Sequence, residues 1–123
     1  MSYLWISLGA VAGAIARYAF SRYVTKLFMV TFPFGTLLIN VSGSLLLGFF
    51  LAITSERMLV DPRWRLLVAV GFCGSYTTFS GYAYETMAYV EQGQWLLMAG
   101  NVMANNVLCL AAVLAGAAVA RAI

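Results

Sequence analysis

Apolar residues fill four long stretches of this chain, at about residues 3–23, 35–54, 65–90 and 95–121, and the charged residues collect between them. A helix needs roughly 20 residues to cross the hydrocarbon of a bilayer, so each stretch predicts a transmembrane helix with short connections. Span one carries Gly9, Gly13 and Arg17 at four-residue steps, with Ala10, Ala14 and Ala16 beside them, a small-residue stripe that lets another helix approach. Arg22 and Lys26 read as a polar turn that reaches Pro33. There Phe32-Pro-Phe-Gly-Thr36 opens span two, because proline suits a first helical turn and pushes the residue before it out of helical conformation. Span two holds Asn40, Ser44 and Gly48 on a single polar and small stripe. Asp61-Pro62 has the form of an N-cap followed by a proline at the first helical position, and it opens span three. That span ends at Glu91-Gln-Gly-Gln94, with Glu85 expected near the interface and solvated. Span four has no charge between its ends, but Asn101 and Asn105 share one face and Asn106 follows them. Its second half, mostly alanine with Gly116, predicts close helix packing.

The third span departs from this regularity. From Leu66 to Tyr84 no side chain is charged, yet three glycines and the hydroxyls of Ser75, Thr77, Thr78 and Ser80 interrupt the apolar run. Such a segment makes a poor continuous helix, and a break is expected near residues 74–78. In hydrocarbon every backbone N–H and C=O needs a partner, so the carbonyls freed by a break must meet protein, water or a cation. A broken helix at mid-bilayer suggests an ion site. The alternative is a Gly/Ser/Thr face used only for tight packing.

Composition narrows the class. With 123 residues, 63% hydrophobic and 9% charged, and a mean hydropathy of +0.91, the chain reads as one four-helix membrane domain over residues 1–123, in a cell membrane that it crosses several times. The first apolar run lacks a charged segment before it and an A-x-A site after it, and so reads as a retained span. The net charge of +3 is spread out, with no basic cluster dense enough for nucleic acid. There is no histidine, and Cys73 and Cys109 sit in apolar runs without metal spacing, so neither an enzyme nor a disulfide is expected. Arg17 lies inside the end of span one, either snorkelling to headgroups or turned into the protein to attract anions. Counting Arg57, Arg63, Arg65 and Arg121 on one side against Arg22 and Lys26 on the other gives four to two, a weak orientation bias. A chain so balanced can insert both ways and pair with an inverted copy of itself.

The Ala16-Arg17-Tyr18 end of span one, the Gly35-Thr-Leu-Leu-Ile-Asn40 start of span two and Gly71-Phe-Cys-Gly-Ser-Tyr-Thr-Thr-Phe-Ser80 in span three together resemble the small dual-topology fluoride channels called Fluc or CrcB-like. The resemblance covers nearly the whole chain. It implies an antiparallel homodimer in the lipid bilayer, with two fluoride pores lined by both subunits, passive export of cytoplasmic fluoride, and one structural sodium ion where the broken helices cross. Carried over, the backbone carbonyls of Gly74 and Thr77 would hold the sodium. Asn40, Phe79, Ser80, Tyr82 and Asn105 would line the pore, and Arg17 would lie near a vestibule.

Three residues depart from the family's commonest pattern: Ser75 for the second glycine of a Gly-Gly pair, Gly81 where threonine or serine is usual, and Tyr82 for a second phenylalanine. Phe79 and Tyr82 are three residues apart, so on a resumed helix they share a face, and an aromatic edge carries partial positive charge that can meet an anion. A pore selective for fluoride must replace its tightly held water with donors. Two rival readings stand beside this one. A small multidrug-type antiparallel exporter depends on a carboxylate in its first helix, where this chain has Arg17. In a non-transporting membrane assembly subunit the polar stripes would serve only to hold helices together.

Overall fold

The computed structural model describes residues 1–29, 32–56 and 59–123, and every regular element among them is helical. In order these are α1 (Ser2–Phe28), α2 (Phe34–Glu56), α3 (Pro62–Trp64), a π-helical stretch (Arg65–Cys73), α4 (Gly74–Tyr76), α5 (Phe79–Glu91) and α6 (Trp95–Ala122). The helices α1, α2 and α6 are each long and apolar enough to cross a membrane. The pieces from Pro62 to Glu91 make up the third span, interrupted at Thr77 and Thr78. The chain is thus an all-helical, multi-pass membrane protein with a broken third span.

Local chemistry sets most of the boundaries. Asp61 caps the third span: its carboxylate accepts from the Arg63 N–H at 2.9 Å and pairs with the Arg63 guanidinium at 2.7 Å, while Pro62 occupies the first helical position. The Arg63 contacts hold the Asp61 carboxyl at about 2 instead of 3.8. A depressed folded value means that this contribution is complete above pH 3.8 and disappears as pH falls through about 2. At the other end, Gly93 (φ +69°) turns the chain after α5, with the Gln94 N–H on the Tyr89 carbonyl at 2.9 Å.

Two boundaries differ from the sequence expectation. α1 does not stop for a polar turn but continues through Arg22 and Lys26 to Phe28, where Met29 in the left-handed region (φ 48°) closes it. Both cations are good helix formers with apolar stems, and Arg22 donates to the Tyr18 hydroxyl one turn back at 2.7 Å. The break is also shorter than residues 74–78: Gly74 is helical (φ −62°, ψ −32°), and only Thr77 (ψ 160°) and Thr78 (ψ 119°) are extended. Extended backbone suits β-branched residues, and the Thr78 hydroxyl accepts the Gly81 N–H at 2.9 Å, capping the resumed helix. Arg57, part of the charge count above, lies outside the described residues.

Packing places α1 against the π-helical stretch and α2 against α6. Both seams depend on missing side chains. A Cβ on Gly71 would lie 2.6 Å from the Ile6 carbonyl, and one on Gly9 would run into the Leu67 carbonyl. A Cβ on Gly116 would meet the Leu45 carbonyl, and one on Gly48 the Val113 carbonyl. Backbones this close are held by dispersion and weak polar contacts, which is how helices associate where lipid is as apolar as leucine. At one end of the α2–α6 pair Arg121 grips both Glu56 oxygens, at 3.1 and 3.2 Å.

Candidate functional site

Asn40, buried on α2, reaches the break and grips one peptide with both ends of its amide. Its Oδ1 accepts the Thr78 N–H at 2.8 Å, and its Nδ2 donates to the Thr78 carbonyl at 3.1 Å. The second Nδ2 hydrogen goes to Asn105 Oδ1 on α6 at 3.0 Å. Asn105 in turn donates to the carbonyl and the Oδ1 of Asn101, both at 3.0 Å. Asn101, fully buried, donates to Thr86 Oγ1 on α5 at 3.0 Å. A continuous line of hydrogen bonds therefore ties α2, the break, α6 and α5 together. A second, short pairing runs beside it: Asn106 donates to the Tyr82 hydroxyl at 3.3 Å.

The break redistributes the backbone partners. Cys73 O accepts both the N–H (3.2 Å) and the hydroxyl (3.0 Å) of Thr77, and Ser75 O accepts Arg17 Nε at 3.0 Å. In an unbroken helix the Thr78 N–H would serve Gly74 O; here it serves Asn40 instead, so the Gly74 carbonyl loses its helical partner. Gly74 lies on an exposed face of the chain.

These residues surround one cavity of about 420 Å³, whose walls include Asn40, Asn105, Gly74, Thr77, Phe79 and Tyr82. Six of the eight residues singled out from the sequence meet there. Phe79 projects from the chain, 77% exposed, with its ring 5.3 Å from that of Tyr82 at 69°, an edge-to-face arrangement on the shared face that their spacing predicted. The other two stand apart. Ser80 is exposed beside Thr78, hydroxyl to hydroxyl at 3.3 Å. Arg17 is turned into the protein, its charge used on the Ser75 carbonyl, while the Ser75 hydroxyl donates to Ala10 O at 2.7 Å and laces α1 to the same turn.

Sequence reasoning underrated four positions. Asn101 and Thr86 complete the amide line, and the shared face of Asn101 and Asn105 was the only signal for it. Asn106 is the partner of Tyr82. Glu85 is not a solvated interface carboxylate: its Oε2 accepts the Thr36 hydroxyl at 2.8 Å, and its Oε1 is buried with no protein donor among the described residues. Thr36, one turn before Asn40, draws the carboxylate inward from the middle of α5.

The sequence profile described as "CrcB-like protein, Camphor Resistance (CrcB)" matches residues 4–117. The protein named Fluoride-specific ion channel FluC of Koribacter versatilis (strain Ellin345) is 62% identical over 121 residues, spanning 98% of this chain and 96% of its own length. The protein of the same name from Sulfurihydrogenibium sp. (strain YO3AOP1) is 44% identical over 119 residues, spanning 97% of this chain and 96% of its own. The one from Methylocella silvestris (strain DSM 15510 / CIP 108128 / LMG 27833 / NCIMB 13906 / BL2) is 42% identical over 125 residues.

Proposed function

The chain belongs to the CrcB-like family, and from that premise we propose that it is a fluoride-selective channel that lets fluoride leave the cytoplasm passively and so confers fluoride resistance. The observation that carries this reading is the convergence of Asn40, Asn105, Phe79 and Tyr82 on one cavity beside a broken helix. Aromatic ring edges offer only partial positive charge, the kind of lining that can take the place of fluoride's water without holding the ion irreversibly, in a wall whose Asn40 and Asn105 amides are hydrogen-bonded in place. Asn40, Phe79, Tyr82 and Asn105 line the path in this reading, and Ser80 extends it along the exposed face of α5. Arg17, set behind the Ser75 carbonyl, raises the potential of a vestibule. Hydrogen fluoride crosses membranes uncharged and ionises inside the cell, so a passive exit for the anion lowers cytoplasmic fluoride without coupled transport.

The working unit in this proposal is an antiparallel homodimer. Irregular backbone does not face lipid, because its polar groups would go unpaired. The exposed Gly74 and the projecting Phe79 flank such backbone at Thr77 and Thr78, and a second, inverted copy over this face would cover it. The same turn supports a structural sodium ion. The described residues include no group of three or more His, Cys, Asp or Glu able to hold a metal, so a cation here would rely on neutral carbonyls, hard donors that suit a monovalent ion. Gly74, which loses its helical partner, and Thr77, in the extended link, are the residues that would supply them. The ion would neutralise converging carbonyl dipoles and lock two copies together, without being transported.

Purified protein in liposomes loaded with fluoride should release it when a potassium shunt is opened, while chloride is retained. Fluoride held at the rate of empty liposomes would end the proposal. Arg121→Cys, probed with an impermeant thiol reagent on intact cells, should react from both faces if the two orientations coexist, and from one face if they do not.

A further inference from the structure

The ring of Tyr82 belongs to the lining proposed above; its hydroxyl and the amide that holds it do not follow from that reading. A phenolic oxygen has one hydrogen to give and lone pairs to receive. In this structure Asn106 Nδ2 donates to that oxygen at 3.3 Å, and it also donates to the Val102 carbonyl one turn back at 2.8 Å, which fixes the direction of the amide. The Tyr82 oxygen is therefore engaged as an acceptor, and no acceptor for its hydrogen occurs among the described residues. Tyr82 is buried, yet it and Asn106 both stand in the wall of the 420 Å³ cavity, with the Phe79 ring 5.3 Å from that of Tyr82. Two amides at the cavity are committed: Asn40 donates to Thr78 and to Asn105, and Asn105 donates to Asn101.

We propose that the Tyr82 hydroxyl, oriented by Asn106, is a fluoride-binding donor of this channel and sets how tightly the ion is held. The inference rests on the fluoride-channel reading and adds a specificity-determining contact to it. Fluoride is the strongest hydrogen-bond acceptor among the halides, and an O–H donor to an anion gives a short, strong bond. A phenol with its own oxygen already accepting is a better donor than an isolated one, because hydrogen bonds in a chain polarise one another. With the Asn40 and Asn105 amides occupied within the protein, the Tyr82 O–H is an uncommitted strong donor beside the Phe79 ring.

The test compares wild type, Tyr82→Phe and Asn106→Leu as purified dimers of equal elution volume, with flux measured against fluoride concentration in liposomes. In parallel, the near-ultraviolet absorption of each protein is followed during titration with sodium fluoride, with sodium chloride as the control. Tyr82→Phe keeps the ring and removes the donor, so its half-saturating fluoride concentration should rise about tenfold, the low end for a hydrogen bond to an ion. Asn106→Leu leaves the hydroxyl but frees its direction, and should give a smaller rise in the same direction. The fluoride-dependent absorption change of wild type should be missing from Tyr82→Phe. Equal half-saturation in all three proteins, with normal flux, would overturn this inference and leave the channel reading standing. A wild-type absorption change without flux would support fluoride binding at Tyr82 and sink the channel reading; absence of both would remove the two together.

Discussion

Asn40 and Thr78 exchange two hydrogen bonds across 38 positions of sequence, N–H to Oδ1 at 2.8 Å and Nδ2 to carbonyl at 3.1 Å. A side-chain amide here takes the place of a helix turn, since it offers the Thr78 peptide one acceptor and one donor in the geometry of a second peptide. The interruption of the third span is thus stabilised from α2, and the same side chain faces the cavity.

Asn40→Asp tests that double role. A carboxylate still accepts the Thr78 N–H, but both donations are lost, and an acceptor is turned toward the Thr78 carbonyl and Asn105 Oδ1. Leaving buried groups unsatisfied costs about 1–3 kcal/mol each, and the negative charge repels a permeant anion. The variant should melt at lower temperature in detergent and should carry fluoride at least about tenfold more slowly, the equivalent of 1.4 kcal/mol. Wild-type melting together with wild-type flux would remove Asn40 from both roles.

The glycines separate packing within the chain from contact with a second copy. Gly116→Val drives a side chain into the Leu45 carbonyl and should destabilise the fold by about 1–3 kcal/mol in a reversible unfolding titration. Gly74→Ala meets only the Ala69 carbonyl, at 3.9 Å, in a helical conformation, so the single chain tolerates it. If this face carries the inverted partner, Gly74→Ala should shift the dimer toward monomer on size exclusion with little loss of helical signal. A Gly74→Ala dimer as tight as wild type would place the partner elsewhere.

What the sequence made legible follows from which interactions are local. The Asp61 cap and the shared face of Phe79 and Tyr82 each depend on residues within a turn or two of one another, and each is found as expected; the helical stretches are local in the same way, with α1 running on to Phe28. The exact site of the break is not local. Three glycines weaken the helix, but the turn that opens is the one whose freed N–H meets Asn40, a residue from another span, so Gly74 stays helical while Thr77 and Thr78 extend. The π-helical winding of Arg65–Cys73 is equally hidden, and so is the close backbone approach of that stretch to α1 at Gly9 and Gly71, which involves residues of another span. Glu85 was misplaced for the same reason: its inward turn depends on Thr36, 49 positions away.

Sodium removal addresses the carbonyls. If the Gly74 and Thr77 carbonyls hold a sodium ion between two copies, exchange into N-methyl-D-glucamine buffer, whose cation is too large to substitute, should lower dimer stability and flux together, and sodium should restore both. The ion concentration giving half recovery should not change with membrane voltage, because a structural ion does not cross the field. Dimers that keep full stability and flux after exhaustive exchange would leave the carbonyls to protein or water.

Phe79 decides between ring electrostatics and packing. Its side chain is 77% exposed on its own chain, and its ring contact there is the edge-to-face pair with Tyr82. Replacing it with isoleucine therefore removes little from the core of the chain, and the cost of a poor core swap, about 1–3 kcal/mol, does not apply within the subunit. What is lost is the positive ring edge, which an aliphatic side chain of moderate size cannot supply. Phe79→Ile should assemble into dimers at near wild-type yield and lose most of its fluoride flux per dimer. Dimer yield from size exclusion and efflux per dimer from liposomes separate the two accounts. A Phe79→Ile protein that assembles poorly yet conducts normally once assembled would make this ring an element of the dimer contact and not of the ion path.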